Sequence, residues 1–278
     1  VVDLSNRDVL EITGADRLGW LHSLTSQHLE SLEPGNSFEA LVLSPNGHIE
    51  HVLAGVDDGT RMLAWTEPGR AAALVDFLES MRFMMRVEVR PRDDLRLSWV
   101  GNDVKIPGEW THRPALGGRE VFRPVDAPLS GGRPAGTWAF DAHRIASGMP
   151  RIFVDTDART IPNEIGLFGT HLDKGCYRGQ ETVARVHNLG RPPRRLTLLH
   201  LDGTADVLPA AGSALELDGR PVGFVGSSAR HHELGPIALA LVKRATPVDA
   251  TLTVDGVAAA QETLVDPEVG LHFRATLR

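Results

Sequence analysis

Of the 278 residues, one is cysteine, one is tyrosine and three are lysine (Lys105, Lys174, Lys243), and aromatic residues make up only 5%. A single cysteine excludes an intrachain disulfide, a cysteine-rich zinc site and an iron–sulfur cluster held by this chain alone. No apolar run reaches the ~18–20 residues that a membrane span needs. Gly117-Gly118 and Gly131-Gly132 lack the strand-to-helix context of a dinucleotide fingerprint. The twelve histidines include no H-E-x-x-H, and adjacent His231 and His232 would point apart on a strand, so no metal site is expected. The formal charge of −7 excludes a surface basic enough throughout to coat nucleic acid or an anionic membrane.

What the chain does contain is ordinary globular composition, 42% hydrophobic and 23% charged, enough for one large domain or two to three smaller ones. Twenty-eight glycines and 18 prolines imply many turns. No signal peptide is evident and the first residue is Val1, which reads as a processed or trimmed form. One thiol and no export signal suggest a reducing cytoplasm.

Residues 1–13 alternate like a strand, and Leu18, Leu21 and Leu24 then repeat at helical spacing. Apolar runs over 38–43 and 49–56, joined by Ser44-Pro45-Asn46-Gly47, predict a hairpin. Thr66 can cap a helix with Pro68 in its first turn and a stripe of Ala72, Val75, Leu78 and Met81. Strands near 85–89, 95–100 and 120–122 follow, and a helix over 138–147 is marked by Trp138, Asp141, Ala142 and Ile145. A short helix spans 179–187, stopped by Gly190 and Pro192-Pro193. From 194 onward there is no good helix and at least four strand-like runs, read as a small antiparallel barrel or sandwich.

The two singletons, Cys176 and Tyr177, are neighbours, and Lys174 is two residues away. The stretch Lys174-Gly175-Cys176-Tyr177-Arg178-Gly179-Gln180-Glu181 leads into the 179–187 helix. Helix N–H groups together with Lys174 and Arg178 would favour a thiolate there. A buried cysteine in a glycine-rich connector is the plain alternative. From Lys174 to Arg195 six cations (Lys174, Arg178, Arg185, Arg191, Arg194, Arg195) face one anion, Glu181. Such a segment is either a solvated face or an anion site for a carboxylate or phosphate.

KGCYRGQETVARVHNLG resembles the signature of the YgfZ family, the folate-binding branch of the glycine-cleavage T-protein superfamily. The opening VVDLS and ITGADRLGWLHSLTSQHL, the LVLSPNGHIE hairpin, DAHRIASGMP, IPNEIGL and the C-terminal strands match in the same order. The resemblance implies an α+β fold, a three-part ring of two ferredoxin-like units and a C-terminal antiparallel β-barrel around a central channel. Residues 1–193 would be the folate-binding region, its second unit roughly 54–136, and 194–278 the barrel. It also implies tetrahydrofolate or a one-carbon derivative as cofactor. Glu120 would recognise the pterin ring, one carboxylate accepting two parallel N–H bonds. Arg144 would fork onto a folate carboxylate. Glu50, Tyr177, Gln180, Glu181 and Arg185 complete the implied contacts, with Cys176 and Lys174 as the reactive pair.

One departure matters: the transferases of the superfamily carry an Asp where this hairpin reads His48-Ile49-Glu50-His51. A Glu is one methylene longer, and transfer chemistry is sensitive to misplacement by about 1 Å. The resemblance therefore implies an accessory protein for iron–sulfur enzymes, including those that modify tRNA, with iron–sulfur clients or assembly proteins as partners and no direct nucleic-acid binding. Folate-dependent aminomethyl or methyl transfer through Glu50 is one alternative; a folate-binding scaffold with an inert cysteine is another.

Overall fold

The structure, a computed structural model, describes residues 1–104, 111–112, 116–129, 131–204 and 206–272; Lys105 lies outside them. The opening alternation becomes two strands, β1 (Val2–Asp3) and β2 (Asp8–Thr13). In β2, Leu10 and Ile12 are buried on one face and Glu11 on the other. Helix α1 (Arg17–Leu24) follows Gly14. That glycine sits at φ 111°, and a Cβ there would lie 1.9 Å from the carbonyl oxygen of Arg86, so a side chain has no room.

The predicted hairpin forms as β3 (Ser37–Leu43) and β4 (Ile49–Asp57). Its ladder pairs Val42 with His51 and Leu43 with Ile49, leaving Glu50 as the extra residue of a β-bulge. Strand β5 (Arg61–Thr66), helix α2 (Ala71–Ser80) and strands β6 (Glu88–Pro91), β7 (Leu95–Gly101), β8 (Thr111–His112) and β9 (Gly118–Pro124) come next. They make two antiparallel sheets, β3-β4-β5-β2-β6 and β1-β7-β9-β8. Trp20 and Leu21 of α1 and Leu74 and Leu78 of α2 pack with Leu10, Ile12, Leu53 and Met62 of the five-stranded sheet. Each such side chain contributes roughly 1.5–3 kcal/mol on burial.

Helix α2 differs from its expected form. Thr66 does not cap it: β5 runs through Thr66, which pairs with Asp8, and the Asp8 carboxylate instead accepts the Ala71 N–H at 2.9 Å. The helix therefore starts later and turns Leu74 and Leu78 inward, leaving Ala72 and Met81 exposed.

Contacts divide the chain into two compact units. The first is Val1–Ser44, Ile49–Thr137 and Gly169–Arg178; the second is Pro45–His48, Trp138–Phe168 and Gly179–Arg278. Each unit is thus assembled from separated stretches of sequence.

The second unit holds α3 (Thr137–Ala146), a 3-10 turn at Pro162–Ile165, α4 (Gln180–Leu189) and six strands. Strands β10 (Arg194–Leu201), β11 (Ala214–Leu217), β12 (Arg220–His231), β13 (Gly235–Lys243), β14 (Leu252–Val254) and β15 (Val257–Thr263) close a barrel in the order β10-β13-β12-β11-β14-β15. Closure leaves no free sheet edge. Leu199, Leu215, Val225, Ala240 and Leu252 fill its core. Two strands were not legible: β11 has only four residues, and β15 is alanine-rich and low in β propensity. In α3 the buried side is Phe140, Ala142, Arg144 and Ile145, while Trp138, one of the residues that mark the helical spacing, is 89% exposed.

Candidate functional site

Cys176 is exposed on the connection before α4. Lys174, two residues earlier, is buried, and its ammonium donates to the backbone carbonyls of His22 and, at 2.6 Å, Thr25. Those carbonyls belong to the last turn and C-cap of α1, where acceptors lack helical partners and a cation is favoured. The ammonium also lies 4.8 Å from the centre of the Tyr177 ring. Burial pulls Lys174 down to about 8 and pushes the Tyr177 phenol up to about 12. Lys174, expected as half of a reactive pair, ties the loop to α1 through these two bonds.

Arg178 is likewise committed. It pairs with Glu50 at 3.0 Å, both half-exposed, and its guanidinium lies 5.6 Å from the Phe77 ring centre. Both cations expected to act on Cys176 thus have partners of their own: Lys174 is held on carbonyls, Arg178 on a carboxylate and beside a ring. Helix α4 begins at Gln180, four residues after Cys176.

The bulge places His51 beside this pair. Its ring lies 5.8 Å from Phe77 and its Nδ1 is buried without a hydrogen-bond partner. Burial, then Arg70 and Arg178, pull His51 down to about 4, so the ring is neutral. His51 and Phe77 are site residues that periodicity could not find, since a bulge and a helix brought them together rather than any motif.

Glu120, in the middle of β9, is buried, not an exposed strand residue. Its Oε2 accepts the Trp65 indole N–H at 2.5 Å. The guanidinium of Arg7 lies 4.8 Å from the Trp65 ring and pairs with buried Glu67. Arg144 does not present a free fork. It is 2% exposed, pairs with Asp155 at 2.9 Å, and also donates to Met149 O, Ser227 Oγ and Asp141. The expected clamp on a ligand carboxylate is corrected to an internal ion pair.

The remaining residues sit on α4. Glu181 lies in its first turn, Gln180 is half-buried and Arg185 is exposed. The cationic segment is not one anion site. Arg191 pairs with Glu268, Arg194 with Asp157 and Glu164, and Arg195 is fully buried on the carbonyls of Lys243 and Arg244 and on Gln261. Among the described residues no group of three or more His, Cys, Asp or Glu could hold a metal ion, and no helix is long and apolar enough to cross a membrane.

No protein-family model matches the chain. Individual proteins do. The chain is 25% identical to the "Putative transferase At1g60990, chloroplastic" of Arabidopsis thaliana over 91% of its own length and 68% of that protein's. It is 25% identical to the "Iron-sulfur cluster assembly factor IBA57 homolog, mitochondrial" of Neurospora crassa over 75% of its own length and 56% of that protein's. It is 35% identical to the "tRNA-modifying protein YgfZ" of Edwardsiella ictaluri over 50% of its length and 44% of that protein's. A solved structure, the glycine cleavage system aminomethyltransferase T of Bartonella henselae, matches 97% of the chain and 86% of its own with a TM-score of 0.78 at 17% identity. The chain is thus similar in sequence to YgfZ and IBA57 proteins and similar in fold to a glycine-cleavage T-protein. Its α+β architecture with a closed antiparallel barrel is the T-protein-like fold. The chain spans about half the length of the YgfZ and IBA57 relatives named here.

Proposed function

We propose that this chain belongs to the YgfZ/IBA57 family, that it is an accessory protein for iron–sulfur cluster assembly or repair, serving enzymes that include tRNA modifiers, and that it binds tetrahydrofolate. The observation that carries this reading is the KGC loop: the single thiol of the chain is exposed on a loop strapped to α1 by a buried lysine. One thiol cannot hold a cluster, so Cys176 would act in a transient sulfur or cluster contact completed by a client, or on a folate-linked one-carbon unit.

The residues fit the pterin end of a folate. Glu120 is a buried carboxylate fixed by the Trp65 indole, an acceptor suited to a flat ring with paired N–H groups. A folate would supply a carrier for one-carbon groups; the chain's own residues would bind and orient it. Transfer chemistry through Glu50 is less favoured, because that carboxylate is engaged by Arg178.

The test is titration of the protein with tetrahydrofolate while the alkylation rate of Cys176 is followed. Binding with protection of the thiol, lost in Glu120→Ala, is the expected result. Absence of binding removes folate from the reading. Full complementation of a deletion by Cys176→Ala removes the thiol.

A further inference from the structure

His22, in the last turn of α1, accepts two backbone N–H groups at Nδ1, from Leu29 at 3.3 Å and Glu30 at 3.4 Å. An imidazole nitrogen that accepts carries no proton, so the ring is neutral and its proton is on Nε2. Among the described residues that nitrogen has no hydrogen-bond partner. It faces Gly175: a Cβ built on that glycine would lie 3.9 Å from it. Other nitrogen-bearing side chains lie close. The His28 ring packs edge-on at 4.8 Å, His171 lies 5.5 Å from His28, and the Lys174 ammonium is bound to the carbonyl of His22 itself. Glu30 is the acid that acts on the ring.

We infer that His22 is a site residue, held as the Nε2–H tautomer so that it presents a fixed hydrogen-bond donor beside the KGC loop to a carboxylate of the ligand. The assignment of a folate as that ligand rests on the reading proposed above; the tautomer and the donor do not. Burial, and then the Lys174 charge, hold the ring below its ordinary pKa, which keeps Nδ1 free to accept. The bonds to Leu29 and Glu30 fix the ring plane, and Gly175 leaves the approach open.

Two variants separate this role from a structural one. Asparagine can replace Nδ1 as acceptor but has nothing at Nε2; glutamine can place an N–H near Nε2 but gives up the acceptor. His22→Asn is expected to keep the melting temperature and to weaken tetrahydrofolate binding about tenfold, the loss of one charge-assisted bond. His22→Gln is expected to lower the melting temperature and keep most of the binding. The reverse pattern overturns the inference. Nitrogen NMR of the free protein is an independent readout: a His22 proton on Nε2 is expected, and one on Nδ1 overturns it. If tetrahydrofolate does not bind, glutarate serves as the carboxylate probe. A saturable shift of the His22 Nε2 resonance supports the donor role, and no shift overturns it.

Discussion

Replacing Lys174 by Met keeps the aliphatic stem and deletes the ammonium. The structure gives the size of the effect. Two bonds from a charged donor to carbonyls are worth about 1.5 kcal/mol each at the lower end of their range, and the contact with the Tyr177 ring adds roughly 0.5–1 kcal/mol. Burial opposes them. It moves the ammonium from 10.5 to about 8. A shift of that size is at most about 3.4 kcal/mol, cut to about half by solvent screening. The net loss for Lys174→Met is then about 2 kcal/mol, or roughly 4–8 °C in melting temperature. Calorimetry or circular dichroism measures the midpoint, and amide exchange at 175–178 reports the loop. A variant that melts with the wild type and exchanges those amides no faster would refute the idea of a strap.

Asp155→Asn leaves the buried Arg144 guanidinium with only the less buried Asp141 as counter-charge and should destabilise the second unit by about 3 kcal/mol, measured by urea denaturation. His51 titrates near 4 in the fold and near 6.5 when unfolded, so the unfolded chain binds more protons between those values. Its contribution is therefore complete above pH 6.5 and falls as pH drops toward 4, by roughly 1–2 kcal/mol after screening; a stability profile of His51→Gln should be flatter over that window. Leu78→Ala should cost about 2–5 kcal/mol while Met81→Ala should cost under about 0.5 kcal/mol, the opposite of what a shared stripe would give.

The hairpin, the barrel and the KGC loop were legible because each is encoded locally: a Pro-Asn-Gly turn between apolar runs, strands separated by glycine and aspartate, a cluster of rare residues. What was not legible depends on partners far along the chain. Asp8 takes the capping role expected of Thr66, and Asp155 claims Arg144. The KGC cations looked like activators because spacing in sequence was all that could be seen; their acceptors are His22, Thr25 and Glu50. Glu120 was read from the sequence as a pterin-binding residue; its indole partner comes from a strand 55 residues earlier.

The bond between Lys174 and Thr25 spans 149 residues. Between the two ends the chain also lays down residues 138–168, which belong to the other unit. A contact of that sequence separation carries a large loop-closure entropy and forms only once much of the chain is organised. The loop around Cys176 can thus be fastened only after synthesis has passed residue 174, and a chain ending at the Thr137 boundary contains most of the first unit yet lacks its strap and its thiol.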